Sequence, residues 1–281
     1  MKILITGGFG KIGTLINSLL SDSIFEVDNY DLKNGDDIFD RDKLQKRIEG
    51  AFAIIHLAAI PHPFHVGKTE KDYWKLNLEG TQEVYNTAKK LGVKRFLFSS
   101  SGCVYGFWGG KSQPNEFPIK EDNYLPKINE GQTIYGATKI ACEEFLKSES
   151  SDMIKTVALR LESPNKNQII TEDSLTTLNY LNAKGLQEVG TLHRFHFWAC
   201  VSQANFKNII LNSLTEELRF QFDVFNVNNP DVDSKTDHVL WLRKQYPHTP
   251  IHLSGNDALI SIEKAKMFLH YKPKYIKQIH E

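Results

Sequence analysis

The first twenty residues constrain this chain most. Lys2 to Thr6 is a short apolar run that reads as a buried parallel strand. Thr6-Gly7-Gly8-Phe9-Gly10-Lys11-Ile12-Gly13 follows at once, and Thr14 to Leu20 then carries apolar residues at helical spacing. A strand that turns through glycines directly into a helix opens a βαβ unit.

The same alternation continues. Phe25 to Tyr30, Ala51 to Leu57, Arg95 to Ser99, Thr156 to Leu161 and Phe222 to Val227 read as strands. Between them lie helical patterns: Asp40 to Glu49 with Leu44 and Ile48 inward, Asp72 to Leu91 with Leu76, Leu78, Val84, Tyr85 and Ala88 inward, and Thr133 to Lys147. Gly92 occupies the expected C-cap of the second. Later, Ser163 to Asn167 reads as a turn or loop, and Ser174 to Asn182, Cys200 to Leu214, His238 to Tyr246 and Ile262 to Leu269 read as helices. In the Cys200 helix, Val201, Ala204, Ile209 and Ile210 are the expected inward residues. Strands alternating with helices imply an α/β fold, a Rossmann-type doubly wound parallel sheet. Residues 1–161 are expected to form its core. Residues 162–281 are expected to form mainly a small C-terminal substrate-binding lobe, with segments returning to that core.

Composition narrows the partners. Lys+Arg and Asp+Glu both number 34, so no global field attracts nucleic acid or an anionic membrane. Cys103, Cys142 and Cys200 are too few and scattered for a disulfide framework or a zinc site, so no metal is expected. The N-terminus shows no basic, apolar and cleavage segments in succession, and no apolar stretch of about 20 residues occurs. A soluble, cytoplasmic protein with reduced thiols is expected.

In a strand–turn–helix context the three glycines have separate roles. One permits the tight turn, one lets the backbone approach a diphosphate, and one packs helix on strand with the phosphates at the helix N-terminus. Gly7, Gly10 and Gly13, with Phe9, Lys11 and Ile12 between them, are therefore candidate dinucleotide contacts. Asp31 ends the second strand, where a carboxylate accepts from a ribose 2′-OH and repels a 2′-phosphate, which favours NAD over NADP. Asp28 competes from the same strand, and the terminal position ranks Asp31 first. Asp37-Ile38 is placed to bracket the adenine, and His56-Leu57-Ala58-Ala59 ends a strand with residues small enough for a cofactor to pass.

The chemistry rests on Tyr135 and Lys139. Four residues apart on a helix, they share a face, so an ammonium can favour the phenolate of a group that ordinarily titrates near pH ~10. The Ser99-Ser100-Ser101 cluster ends a strand at the edge where ligands bind such sheets, and a serine there can polarise a carbonyl or alcohol.

Together these motifs make the chain resemble the extended short-chain dehydrogenase/reductases of the NAD-dependent epimerase/dehydratase family. The resemblance spans Thr6 to Gly13, Asp31, Asp37-Ile38, His56 to Ala59, Asn77 in Leu76-Asn77-Leu78-Glu79-Gly80-Thr81, and Ser100-Ser101-Gly102-Cys103-Val104-Tyr105-Gly106. It also takes in Tyr135 with Lys139, and the C-terminal Leu269-His270-Tyr271-Lys272-Pro273. It implies NAD as cofactor, Ser101, Tyr135 and Lys139 as catalytic residues, Asn77 as a brace for the active-site helix, and cofactor contacts at Leu57, Ala58, Ala59, Ser99, Tyr135 and Lys139. It also implies a homodimer built on the helices Asp72 to Leu91 and Thr133 to Lys147.

The match departs after Leu161. Glu162-Ser163-Pro164-Asn165 stands where the family has Asn before Val-Tyr-Gly-Pro, and Val201-Ser202-Gln203 where it has Val-x-Asp, although Ser202 can still cap a helix. His62, His65, Cys103, Phe107, Trp108, Ser163, His193 and Arg194 are the expected substrate-side residues besides Ser101. The expected reaction is hydride transfer at a secondary alcohol of a nucleotide sugar, by an epimerase or dehydratase. A dehydrogenase of a free sugar or sugar acid is the alternative, and a non-catalytic dinucleotide-sensing protein the minor one.

Overall fold

The computed structural model describes residues 1–63, 65–107, 111–165, 200–232 and 238–275. The strands are β1 (Lys2–Thr6), β2 (Glu26–Tyr30), β3 (Ala53–His56), β4 (Arg95–Ser101), β5 (Lys155–Leu161), β6 (Ser163–Asn165), β7 (Cys200–Ser202) and β8 (Phe222–Val227). The helices are α1 (Lys11–Leu20), α2 (Arg41–Ile48), α3 (Glu70–Tyr73), α4 (Gly80–Lys90), α5 (Ile134–Ser148), α6 (Gln203–Thr215), α7 (His238–Gln245) and α8 (Glu263–Phe268). Six strands form a parallel sheet in the order β2-β1-β3-β4-β5-β8, the Rossmann-type arrangement the alternation predicts.

Register follows burial. β1 pairs with β2 and β3, and β3 with β4, all parallel. All four residues of β3 are buried, as a strand covered on both faces requires. Leu44, Ile48, Val84, Tyr85 and Ala88 join one apolar cluster with Leu4, Ile54, Phe96 and Phe98, while Leu76 and Leu78 pack at its edge. Gly92 has φ +75° and its N–H bonds the Lys89 carbonyl, the left-handed C-terminal stop its position predicts.

Three expectations are corrected. The long helix starts at Glu70, capped by Thr69 with Asp72, and is interrupted by a π-helical stretch at Trp74–Glu79, so Asp72 to Leu91 is not one regular helix. Ser163 to Asn165 is neither turn nor loop: it is β6, paired in parallel with β7, while Lys166 and Asn167 lie outside the described residues. Cys200 to Ser202 is therefore strand, and the following helix begins only at Gln203. Ser202 Oγ accepts from Asn205 N at 3.1 Å, the expected cap. With that start, Ala204 faces outward, and Phe206, Ile209 and Ile210 are buried. The helix expected at Ser174 to Asn182 lies outside the described residues.

The chain divides into two compact units. One comprises Met1–Ser101, Ile134–Arg160 and Ile210–Val224. The other comprises Gly102–Thr133, Leu161–Ile209 and Phe225–Glu281. In the second unit Tyr105 donates to Asn226 Oδ1 at 2.6 Å, and Asn229 Oδ1 accepts from both Ser202 N and Asn205 Nδ2.

In the first unit a buried polar chain crosses the carboxyl ends of the strands. Thr6 Oγ1 lies 2.7 Å from His56 Nδ1, and His56 Nε2 lies 3.0 Å from Thr81 Oγ1. Thr81 already gives its proton to the Asn77 carbonyl at 2.6 Å, so His56 donates through Nε2 and accepts at Nδ1. The imidazole is fully buried, and desolvation first, then the Lys139 charge, lowers its pKa to about 3. It is a neutral tether.

Between about pH 3 and the ordinary value of about 6.5 the unfolded chain protonates this imidazole and the folded chain does not, so stability falls as pH drops through that window. Each unit of acidification there is expected to remove on the order of 1.4 kcal/mol through this one residue. Urea unfolding of wild type and His56→Gln at several pH values checks it. The variant is expected to start less stable at neutral pH and to lose less on acidification.

Candidate active site

The glycine loop is built by close backbone approach. Gly7 has φ +72°, and its N–H bonds the Tyr30 carbonyl at 2.8 Å; a β-carbon there would sit 2.8 Å from Ala58 N. A β-carbon on Gly13 would lie 2.5 Å from the carbonyl oxygens of both Gly7 and Gly8. Only glycine fits either place. Asn17 Nδ2 reaches the Gly8 carbonyl at 3.1 Å, the Gly13 carbonyl at 2.9 Å and Asn29 Oδ1 at 2.9 Å, a clamp the motif alone does not reveal.

α1 starts at Lys11 behind Gly10, with no side-chain cap and no acidic residue in its first turn. Its N-terminal amides and dipole therefore suit an anion. Asp31, mostly buried, accepts from Phe9 N at 2.9 Å through Oδ2 and from Lys33 N at 2.9 Å through Oδ1. It thereby ties the glycine loop to the end of β2, and each oxygen retains acceptor capacity. The competing Asp28 is engaged with Arg47 at 2.6 Å.

Leu57, Ala58 and Ala59 follow β3 and are partly exposed, with Leu57 N on the Thr6 carbonyl at 3.0 Å. They border the loop containing Gly7. Exposed Phe9 and Lys11 and half-buried Ile12 lie on the loop and first turn. Asp37 is exposed and Oδ1 caps Phe39 N, whereas the Ile38 side chain joins the core. These residues fit a dinucleotide: an uncapped helix end, a cradle that any β-carbon would fill and a carboxylate at the end of β2.

The second half of the site stands on α5. Tyr135 and Lys139 are both buried on it. Lys139 Nζ donates to the Ser99 carbonyl at 2.6 Å, lies 4.6 Å from the centroid of the Phe98 ring and 5.7 Å from that of Tyr135. Ser101 ends β4, half-buried. Asn77, in the π-helical stretch, accepts from Ile60 N at 2.8 Å and donates to Thr138 Oγ1 at 3.1 Å, which in turn donates to the Tyr135 carbonyl at 2.9 Å. π-Helical turns are concentrated at functional sites, and this one aims Asn77 at α5.

One group of side chains escaped the sequence reading. Ser100 Oγ donates to Glu143 Oε1 at 2.5 Å, and Arg160 grips the same carboxylate with Nε at 3.0 Å and Nη2 at 2.8 Å. All three are buried. The available signal was Arg160 alone in the apolar strand Thr-Val-Ala-Leu-Arg-Leu, and Glu143 one turn beyond Lys139.

On the substrate side, His62 stacks on His65 with centroids 5.3 Å apart, and Tyr73 donates to the His62 carbonyl at 2.6 Å. Burial first, then the neighbouring His65, lowers the His62 pKa. Cys103 is buried in the short turn Gly102–Tyr105, as is Phe107 beyond it. A β-carbon on Gly102 would collide with the Glu162 carboxylate, which packs on it. Ser163 lies on β6. Trp108, His193 and Arg194 lie outside the described residues.

Comparison with known proteins bears on the family. The model of the NAD dependent epimerase/dehydratase family matches residues 3–166. UDP-glucose 4-epimerase 3 of Oryza sativa subsp. japonica is 28% identical over 196 residues, covering 58% of this chain and 49% of the relative. The chain thus spans about half the length of the curated relatives it matches. Among solved structures, a short-chain dehydrogenase/reductase superfamily protein from Agrobacterium tumefaciens with bound NAD superimposes with TM-score 0.71 at 20% identity, covering 99% of this chain and 94% of the other. The UDP-glucuronic acid 4-epimerase of Bacillus cereus, in complex with UDP-glucuronic acid and NAD, gives TM-score 0.66 at 22% identity, with 98% and 95% covered. With glycine loop, Asp31 and the α5 pair in one family-wide match over more than half of its length, the chain belongs to the NAD dependent epimerase/dehydratase family.

Proposed function

We propose that this protein is an NAD-dependent oxidoreductase that works at a secondary alcohol of a nucleotide sugar, as an epimerase or dehydratase. The observation that carries the reading is Lys139, a buried ammonium fixed by the Ser99 carbonyl and the Phe98 ring, one helical turn from Tyr135. A cation so placed favours the phenolate. Tyr135 then takes the hydroxyl proton of the sugar, and the Ser101 hydroxyl polarises the same oxygen as it becomes a carbonyl. Bound NAD would accept the hydride leaving the adjacent carbon. Gly7, Gly10, Gly13 and the first turn of α1 would hold its diphosphate, and Asp31 its ribose. Family membership and the UDP-glucose 4-epimerase relative support the nucleotide sugar.

Trp74, Ile140 and Phe145, partly exposed on the helical segment 70–90 and on α5, are the surface we assign to a homodimer. Buried thiols at Cys103 and Cys142 suit a cytoplasmic setting.

In a thermal-shift screen with NAD present, UDP-glucose or UDP-galactose is expected to raise the melting temperature more than free glucuronate or galacturonate. The reverse order, with steady NADH release from the free sugar acid, selects a dehydrogenase instead. Tyr135→Phe is expected to cut turnover by at least ~100-fold while NAD affinity by calorimetry changes less than ~3-fold. An unchanged rate removes Tyr135 from the proton step, and NAD binding without turnover of any sugar in the wild type selects a sensing protein. Light scattering is expected to give twice the chain mass; a monomer refutes the assigned surface.

A further inference from the structure

The rim of the glycine loop carries a cation to which the role of Asp31 gives no task. Lys33 stands in the single helical turn Leu32–Asn34 that follows β2, and Asp31 caps that turn by accepting from Lys33 N at 2.9 Å. The Lys33 side chain is exposed yet held: Nζ donates to the Phe9 carbonyl at 2.7 Å. Asp31 Oδ2 accepts from the N–H of that same residue at 2.9 Å. The nitrogen and oxygen of one residue lie no more than about 4 Å apart, so carboxylate and ammonium grip Phe9 from the two ends of a short span. Among the described residues they form no ion pair with each other. An ammonium has three donors, and the Phe9 carbonyl takes one of them.

The other charges of this rim are placed differently. Asp36 is buried and met by Lys43 at 2.5 Å and Arg47 at 3.6 Å, and Asp28 is engaged with Arg47. Asp37 is exposed with Oδ1 on Phe39 N, and Asp40 caps α2. Lys11 is exposed in the first turn of α1, where the diphosphate is expected. Lys33 is the cation carried by the same segment as the ribose carboxylate.

We propose that this site also takes NADP, the dinucleotide phosphorylated on the ribose 2′-oxygen, and that Lys33 is the residue that admits it. This rests on the reading of Asp31 as the ribose acceptor. A phosphate on the oxygen that Asp31 would receive sets roughly two negative charges beside a carboxylate, which by itself repels it. An ammonium one residue's width away offsets that repulsion, and its two remaining donors suit phosphate oxygens. NAD carries no charge at that oxygen, so Lys33 acts on one cofactor and hardly on the other.

The test is calorimetric titration with NAD and with NADP, without substrate. The wild type is expected to bind NADP within about 30-fold of NAD, and a wider gap overturns the proposal. Lys33→Met, which keeps the apolar stem, is expected to weaken NADP about tenfold and NAD less than about twofold, while Lys33→Arg retains both. Added salt is expected to weaken NADP binding more in the wild type than in Lys33→Met. An unmoved NADP affinity in Lys33→Met overturns the proposal. So does an equal loss of both cofactors, because Lys33 is then only a brace for Phe9. A wild type that binds neither dinucleotide fails the cofactor reading itself, and this inference falls with it.

Discussion

The bond from His56 to Thr81 is the contact on which the first unit's site depends. A buried imidazole with both nitrogens engaged has one acceptable arrangement, and here that arrangement joins the end of β1 through Thr6, the end of β3, and α4. Thr81 in turn donates to the Asn77 carbonyl, to which Cys142 Sγ also donates from α5 at 3.1 Å. The strand ends that bear the glycine loop and the helix that bears Tyr135 are therefore set by one continuous set of hydrogen bonds. Buried polar networks of this kind add little net stability per bond, yet breaking one leaves an unsatisfied group worth about 1–3 kcal/mol. Their contribution is alignment.

Asn77 extends the alignment in a second direction. Its side chain bonds both the Ile60 amide and Thr138, so the segment after β3 and the second turn of α5 share a residue. A regular helix through 70–90 would place Asn77 on a different bearing, since each residue turns the helix by a fixed angle. The π-helical stretch adds a residue to one turn and reorients it, and Gly80 N bonding the Lys75 carbonyl five residues back shows where the register changes.

Much of this was legible in the sequence. The glycine loop, the strand ends and the Tyr135–Lys139 spacing are local patterns, and local patterns fold as local geometry dictates. Two kinds of feature were hidden. The π-helical stretch leaves the apolar periodicity of Asp72 to Leu91 nearly intact, so nothing in the spacing marks it. β6 and β7 are three residues each, paired across 34 intervening residues, and Ser-Pro-Asn carries stronger turn propensity than strand propensity. Long-range pairing overrode it. The Ser100–Glu143–Arg160 contact was hidden for the same reason, since 43 residues separate its hydroxyl from its acceptor.

The chain has equal numbers of acidic and basic residues, so any field at the site must be made locally. The two buried cations of the first unit are handled in opposite ways. Arg160 receives a carboxylate in a bidentate grip, an arrangement that neutralises its charge and whose loss on one side costs about 3–5 kcal/mol. Lys139 receives a carbonyl dipole and an aromatic face, which stabilise an ammonium without cancelling it. The effect reaches its neighbours, for the same charge helps depress His56 and lowers the thiol of Cys142 against its burial. A cation destined only to hold the fold together would be better served by the first arrangement. The second makes sense where the charge itself is to be felt, and the aromatic ring within its reach on the same helix is that of Tyr135.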